Sequence, residues 1–172
     1  MKIKNTIILL IFSCIVVACA GSKTASKKGK QKDRFSLAKV DSVRDYLSAI
    51  SNKPVKDTVI IKYDFNYESC WNALDEQPDN YIARIIISTN DFISKYKIAH
   101  PGTSVYQIKE SGKNFNKLVL WNNKILTDGG YLRKNIFTKK TTCGTSLVLY
   151  PDGSYKFFYS DPHFMPLQPA KK

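Results

Sequence analysis

Apolar side chains recur at Val40, Val43, Tyr46, Leu47 and Ile50, with Asp41, Arg44, Asp45 and Ser48 between them. Spacings of three and four residues put the first set along one side of an α-helix and the second along the other. Asp33 or Ser36 stands where an N-cap acceptor is needed. Asn52-Lys53-Pro54 ends the helix, because proline lacks an amide N–H and restricts its predecessor. From Thr58 to Phe65 the period changes to two, with Val59, Ile61, Tyr63 and Phe65 facing one way and Ile60, Lys62 and Asp64 the other, which predicts a strand. Residues 80–98 carry both signals. Ile85-Ile86-Ile87 reads as strand, but Asn80, Arg84, Ser88, Asp91 and Lys95 form a polar line at helical spacing between Pro78-Asp79 and His100-Pro101-Gly102, and the balance favours helix.

Further along, Val105 to Lys109 and Lys117 to Trp121 read as short strands around Ser111-Gly112-Lys113-Asn114, and Asp128-Gly129-Gly130 as a turn. Ser146 to Tyr150 and Ser154 to Tyr159 flank Pro151-Asp152-Gly153. Proline pre-sets the first turn angle and glycine accepts a positive φ, so these two segments form a β-hairpin. Pro162, Pro166 and Pro169 then predict an extended tail across the surface. The expected fold is a small single α+β domain over 35–172, with a mostly antiparallel sheet of four to six strands, one or two covering helices and a C-terminal hairpin.

The amino terminus follows a different pattern. Lys2 and Lys4 precede an apolar run from Thr6 to Ala18, which is shorter than the roughly 20 residues of a permanent membrane-spanning helix. The run ends in Val16-Val17-Ala18-Cys19, which resembles the lipobox of bacterial lipoproteins, and Ala20-Gly21-Ser22 make a polar exit. That resemblance implies residues 1–18 as a signal peptide, cleavage before Cys19, and diacylglycerol on the Cys19 sulfur. Two or three acyl chains, at roughly 0.8 kcal/mol per buried methylene, hold a protein at a membrane far longer than one. Ala20 is not the aspartate that retains many such proteins at the inner membrane, so the resemblance points to the outer membrane, facing the periplasm. Residues 19–34 hold no apolar side chain larger than alanine after the cysteine and read as a flexible basic tether.

Charge fits this picture. The chain carries +13, and loss of Lys2 and Lys4 with the leader leaves +11, about +5 of it between Lys23 and Arg34. Beside a lipid anchor, such a run is attracted to anionic headgroups by about 1 kcal/mol per basic side chain. Nucleic acid is not an expected partner of an anchored, exported protein.

Of four cysteines, Cys14 leaves with the leader and Cys19 takes lipid, so Cys70 and Cys143 remain. Outside the cytoplasm the default for such a pair is a disulfide. The sharper alternative makes either one a nucleophile with His100 or His163 as base. A metal site from these four residues has no preorganising spacing, and no metal or other cofactor is expected. No phosphate loop, nucleophile elbow or zinc-protease helix is present. The hairpin aromatics outnumber the places on one buried face, which nominates Tyr150, Tyr155 and Phe158 as an exposed binding strip.

The leading functional expectation is a non-catalytic envelope lipoprotein that binds or scaffolds a protein partner, for instance within an envelope-spanning secretion apparatus. A periplasmic inhibitor or immunity-type lipoprotein, and an envelope hydrolase using Cys70 or Cys143, follow in that order. The anchor is open to direct test: a Cys19→Ser chain should lose the acylated terminus in mass spectrometry and leave the membrane fraction, and unchanged fractionation would remove the lipid from the account.

Overall fold

The computed structural model describes residues 33–112, 117, 121 and 124–169. The leader, Cys19 and nearly all of the expected tether lie outside them. Among the described residues the elements run α1 (Leu37–Ser51), β1 (Thr58–Asp64), α2 (Ser69–Asp75), α3 (Asp79–Ala99), β2 (Thr103–Glu110), β3 (Leu126–Asp128), α4 (Tyr131–Asn135), β4 (Thr145–Leu149) and β5 (Tyr155–Tyr159), with a 3-10 turn at Met165–Leu167. The class is α+β, the sheet has five strands in the order β3-β2-β1-β4-β5, and the terminal hairpin is present.

In one respect the sheet differs from expectation: it is mixed rather than mostly antiparallel. β1 pairs in parallel with β2 and β2 with β3, while β1–β4 and β4–β5 are antiparallel. Parallel neighbours need a long crossover. Here α2 and α3 supply it, which also settles 80–98 as helix. A central strand covered on both faces reads as a near-continuous apolar run, and Val59-Ile60-Ile61 is that run. The strand expected at 117–121 is not found at its described ends, since neither Lys117 nor Trp121 is in a strand, and residues 118–120 lie outside the described set. The third strand is instead Leu126–Asp128, too short for alternation to reveal.

On one face of the sheet, Val59, Ile61, Tyr63 and Phe65 pack with Val40, Val43 and Leu47 of α1 and with Leu132, Ile136 and Phe137. Each fully buried aliphatic or aromatic side chain contributes about 1.5–3 kcal/mol. Ser36 caps α1, accepting from the Lys39 N–H, and Asn52 closes it in the left-handed region. Arg44 fastens the helix to the approach to β1 through the carbonyls of Val55, Lys56 and Asp57. On the other face, Ile60, Val105 and Val148 meet Phe92, Ile93 and Tyr96 of α3 and the terminal segment, whose Phe164 and Leu167 are buried. That segment therefore covers the sheet instead of trailing over the surface. Asp33 and Arg34, assigned by composition to the tether, lie against the hairpin: Arg34 bridges Ser154 and forms an ion pair of 3.0 Å with Asp152.

Asp128 ties α1, β1 and α4 together. Its carboxylate accepts from the Tyr46 hydroxyl (2.6 Å), the Tyr63 hydroxyl (2.8 Å) and the N–H groups of Leu132 (3.1 Å) and Arg133 (2.8 Å). Burial acts to raise its pKa, but these four donors outweigh burial and hold the carboxyl below its ordinary value. A depressed carboxyl contributes stability above its unfolded pKa of about 3.9 and loses it as pH falls through the folded value. Asp128→Ala should therefore cost about 3 kcal/mol or more in urea unfolding at pH 7, by stranding two hydroxyls and two amides. The deficit relative to the parent should shrink as the titration is repeated below about pH 4; a pH-independent deficit would contradict this role.

Candidate functional site

At the carboxyl end of β1 three pieces of chain converge. Lys62 and Asp64 project to the α3 side, because Tyr63 and Phe65 take the other face. After Asp64 the chain turns through Asn66 and Tyr67, the latter at φ 60°, places Glu68, and enters α2 with Cys70 and Trp71. Cys143 arrives from the loop before β4, held there by the Tyr63–Thr145 register of the antiparallel pair. Cys70 and Cys143, 73 residues apart in sequence, form a disulfide with Cα atoms 5.0 Å apart, and both residues are half-buried. The Cys70 N–H also reaches the Thr142 carbonyl at 3.4 Å. By chain-entropy reasoning, closing so long a loop stabilises by roughly 4 kcal/mol.

Beneath the disulfide lies a buried charged cluster. The Lys62 ammonium donates to the carbonyls of Cys143 (2.8 Å) and Asp161 (2.5 Å) and pairs with Asp64 at 3.4 Å. Burial raises the Asp64 pKa, against the opposing pull of Lys62 and a hydrogen bond from Trp71. Glu68, almost wholly buried, accepts from the N–H of Phe65 at 2.7 Å and from that of Gly144. Burial, followed by the neighbouring Asp64 charge, pushes its carboxyl up to about 8, so it is largely protonated at neutral pH. Glu68 stands two residues before Cys70 and accepts from the residue after Cys143, and the side chains of Glu68, Cys70 and Cys143 line one cleft. Gly144 has no room for a side chain: at φ +72°, a Cβ would lie 2.5 Å from Lys62 Nζ and 2.7 Å from Asp64 Oδ1.

The disulfide and this cluster open into a cleft of about 590 Å³ between α3 and the terminal segment. Its walls are largely apolar, with Trp71, Leu74, Ile85, Phe92, Trp121 and Ile125, and the two indoles meet edge to face with centroids 5.5 Å apart. That volume is in the range of small-molecule and peptide-segment sites.

The expected pair Cys70 and Cys143 is thus joined, which leaves neither sulfur as the free thiol a hydrolase would need. His163 lines the cleft, whereas His100 is stacked on Tyr96 at the end of α3. Among the described residues no group of three or more His, Cys, Asp and Glu side chains is placed to hold a metal ion. Tyr150, Tyr155 and Phe158 do not form one strip: Tyr155 stacks on Phe35 at 4.1 Å, while Phe158 packs on the opposite face with Val148 and Phe164. Tyr150 is the exposed member. Successive strand residues alternate faces, so positions 155 and 158 cannot share one. Lys62, Asp64 and Glu68 were not visible as site residues. In the alternation of β1 the first two fall on the side opposite Tyr63 and Phe65, which α3 and the terminal segment cover.

No protein-family model matches the chain, and no curated protein matches it. Among solved structures it is similar to a secreted Mycobacterium tuberculosis disulfide oxidoreductase homologous to E. coli DsbE, with 11% identity and a TM-score of 0.36 over 60% of this chain and 69% of that one. It is also similar to MTB dsbF, with 8% identity and a TM-score of 0.37 over 66% of this chain and 83% of that one.

An acid whose folded pKa lies above its unfolded one of about 4.3 binds an extra proton on folding, so stability falls as pH rises between the two values. Glu68→Gln removes that burden. Relative to the parent, it should gain stability progressively from about pH 5 to pH 9 in thermal unfolding, and a constant difference across that range would show that Glu68 ionises normally.

Proposed function

We propose that this chain is an anchored envelope protein that performs thiol–disulfide exchange at Cys70–Cys143. The observation that carries the reading is a half-buried disulfide opening into a cleft that is also lined by Glu68, a buried carboxyl whose pKa burial raises. A thiolate presented in the cleft attacks one sulfur, the S–S bond breaks, and the other cysteine departs with the electron pair. Glu68 supplies a proton to the departing thiolate, which makes it a better leaving group. A second thiol of the same partner attacks the mixed disulfide and releases the partner oxidised by two electrons, with both cysteines of this chain reduced. The lipobox ending at Cys19 supports attachment at the membrane.

A second reading keeps the disulfide purely structural and the protein a non-catalytic binder; the apolar walls of the cleft favour it. Redox poise separates the two. The full chain should be titrated against glutathione and dithiothreitol buffers with Trp71 and Trp121 fluorescence as readout. Exchange requires a midpoint above about −270 mV, whereas a structural bridge resists reduction until below about −300 mV. Glu68→Gln should slow oxidation of a dithiol peptide by about tenfold or more near neutral pH. An undiminished rate would remove Glu68 from the step.

A further inference from the structure

The end of the sheet away from the hairpin turn carries an exposed patch that is no part of the cleft. Tyr67 and Tyr159 are 66% and 52% exposed, although each bears a large aromatic ring. The Lys139 ammonium lies 4.9 Å from the Tyr159 ring centre and that of Lys140 lies 6.0 Å from the Tyr67 ring centre, so two successive lysines join the two rings in one patch. Tyr67 also stands in the left-handed region at φ 60°, an uncommon setting for a bulky residue and one that its exposed ring does not offset by packing. The sheet register puts these parts at one end: Tyr159 pairs with Thr145 and Thr145 with Tyr63, four residues before Tyr67. Residues 66–69, 138–143 and 159–161 expose no carboxylate, because their acids, Glu68 and Asp161, are buried.

The chain that leads back to the expected anchor points the same way. Phe35 donates its N–H to the Gly153 carbonyl, and the Asp33 carbonyl accepts from the Tyr155 N–H. Read towards the amino terminus, the backbone therefore runs along β5 from its turn end in the direction of Tyr159. Residues 19–32 separate this point from Cys19, and at about 3.5 Å per residue they reach at most about 50 Å. The step from Tyr155 to Tyr159 is only about 13 Å. Each lysine near an anionic lipid surface strengthens attachment about fivefold, and tyrosine rings settle at headgroup level with the hydroxyl in water. Of the partners this chemistry fits, a bilayer is the one that an anchor at Cys19 holds within reach.

We propose that Tyr67, Lys139, Lys140 and Tyr159 form a membrane-contact surface that seats the domain on anionic phospholipid headgroups. The proposal rests on the anchored reading above and not on the exchange chemistry. Tyr159 stacks on Phe157, on the α1 face of the sheet, whereas the cleft lies on the α3 face, so contact at Tyr159 is made on the side away from the cleft.

The chain as its producing cell processes it is mixed with vesicles of phosphatidylethanolamine and phosphatidylglycerol, sedimented, and mapped by hydroxyl-radical oxidation of its tyrosines. Oxidation of Tyr67 and Tyr159 should fall about threefold or more relative to Tyr81 and Tyr150, which are exposed elsewhere. The protection should vanish on phosphatidylcholine vesicles, in the Lys139→Glu/Lys140→Glu variant, and for the parent in high salt. Equal oxidation of all four tyrosines on the anionic vesicles overturns the proposal, as does protection that survives both charge reversal and salt. Protection that appears only on adding polyglutamate also overturns it, by assigning the patch to an acidic polypeptide. Mass spectrometry of the amino terminus reports the anchor separately. An unacylated terminus with Tyr67 and Tyr159 still protected removes the anchor and keeps the surface. An acylated chain that sediments with both rings freely oxidised removes the surface alone, and a chain that does not sediment removes both.

Discussion

β1 is hydrogen-bonded along both edges, to β2 in parallel and β4 in antiparallel register, and both of its faces are covered, so six consecutive side chains from Val59 to Asp64 must find partners inside the protein. Four are apolar or aromatic enough to do so by packing. Lys62 and Asp64 are not, and burying either charge alone would cost several kcal/mol. They are tolerated because each offsets the other, and because Lys62 also donates to two carbonyls. Those carbonyls belong to Cys143 and Asp161, so the same contacts that neutralise β1 fix the loop before β4 and the start of the terminal segment.

The disulfide inherits its setting from that constraint. With the Cys143 loop pinned over Lys62 and α2 launched from Glu68, the two sulfurs meet at the edge of the cleft that Glu68, with its raised pKa, also lines. A raised Glu68 pKa works against stability above its unfolded value. Such groups gather at functional sites because chemistry there requires a proton poised near neutrality. The Asp128 cluster shows the opposite design on the other face of the sheet: four donors surround the carboxylate, its pKa is depressed, and every contact favours the fold.

α3 has two tasks. Ile82 and Ile86 anchor its first half against Trp71, Trp121 and Ile125, and Phe92, Ile93 and Tyr96 seat its second half on the sheet. Between the two anchors, Ile85 and Phe92 face the cleft with Ser88 and Thr89 beside them. The cavity is thus roofed by the same helix that provides the crossover from β1 to β2, and its polar floor is the price of running those two strands in parallel with Lys62 opposite Gln107.

Local periodicity was enough for α1, which buries one side and leaves a repeat near 3.6, and for placing β1 by its repeat of two, whereas residues 80–98 carried both signals and leaned to helix on their polar line and flanking prolines and glycine. The proline and glycine of residues 151–153 likewise specify their turn without help from distant chain, and the counting of cysteines leaves Cys70 and Cys143 as the pair to join. Strand direction was beyond reach, because a parallel and an antiparallel edge make the same demands on side chains one strand at a time. So was the site. Lys62, Asp64 and Gln107 look like ordinary polar positions until α3 and the terminal segment close over them, and Glu68 acquires its altered proton affinity only from neighbours drawn from β1 and the loop before β4. Burial depends on which surfaces meet, and that is settled by contacts between residues far apart in the chain.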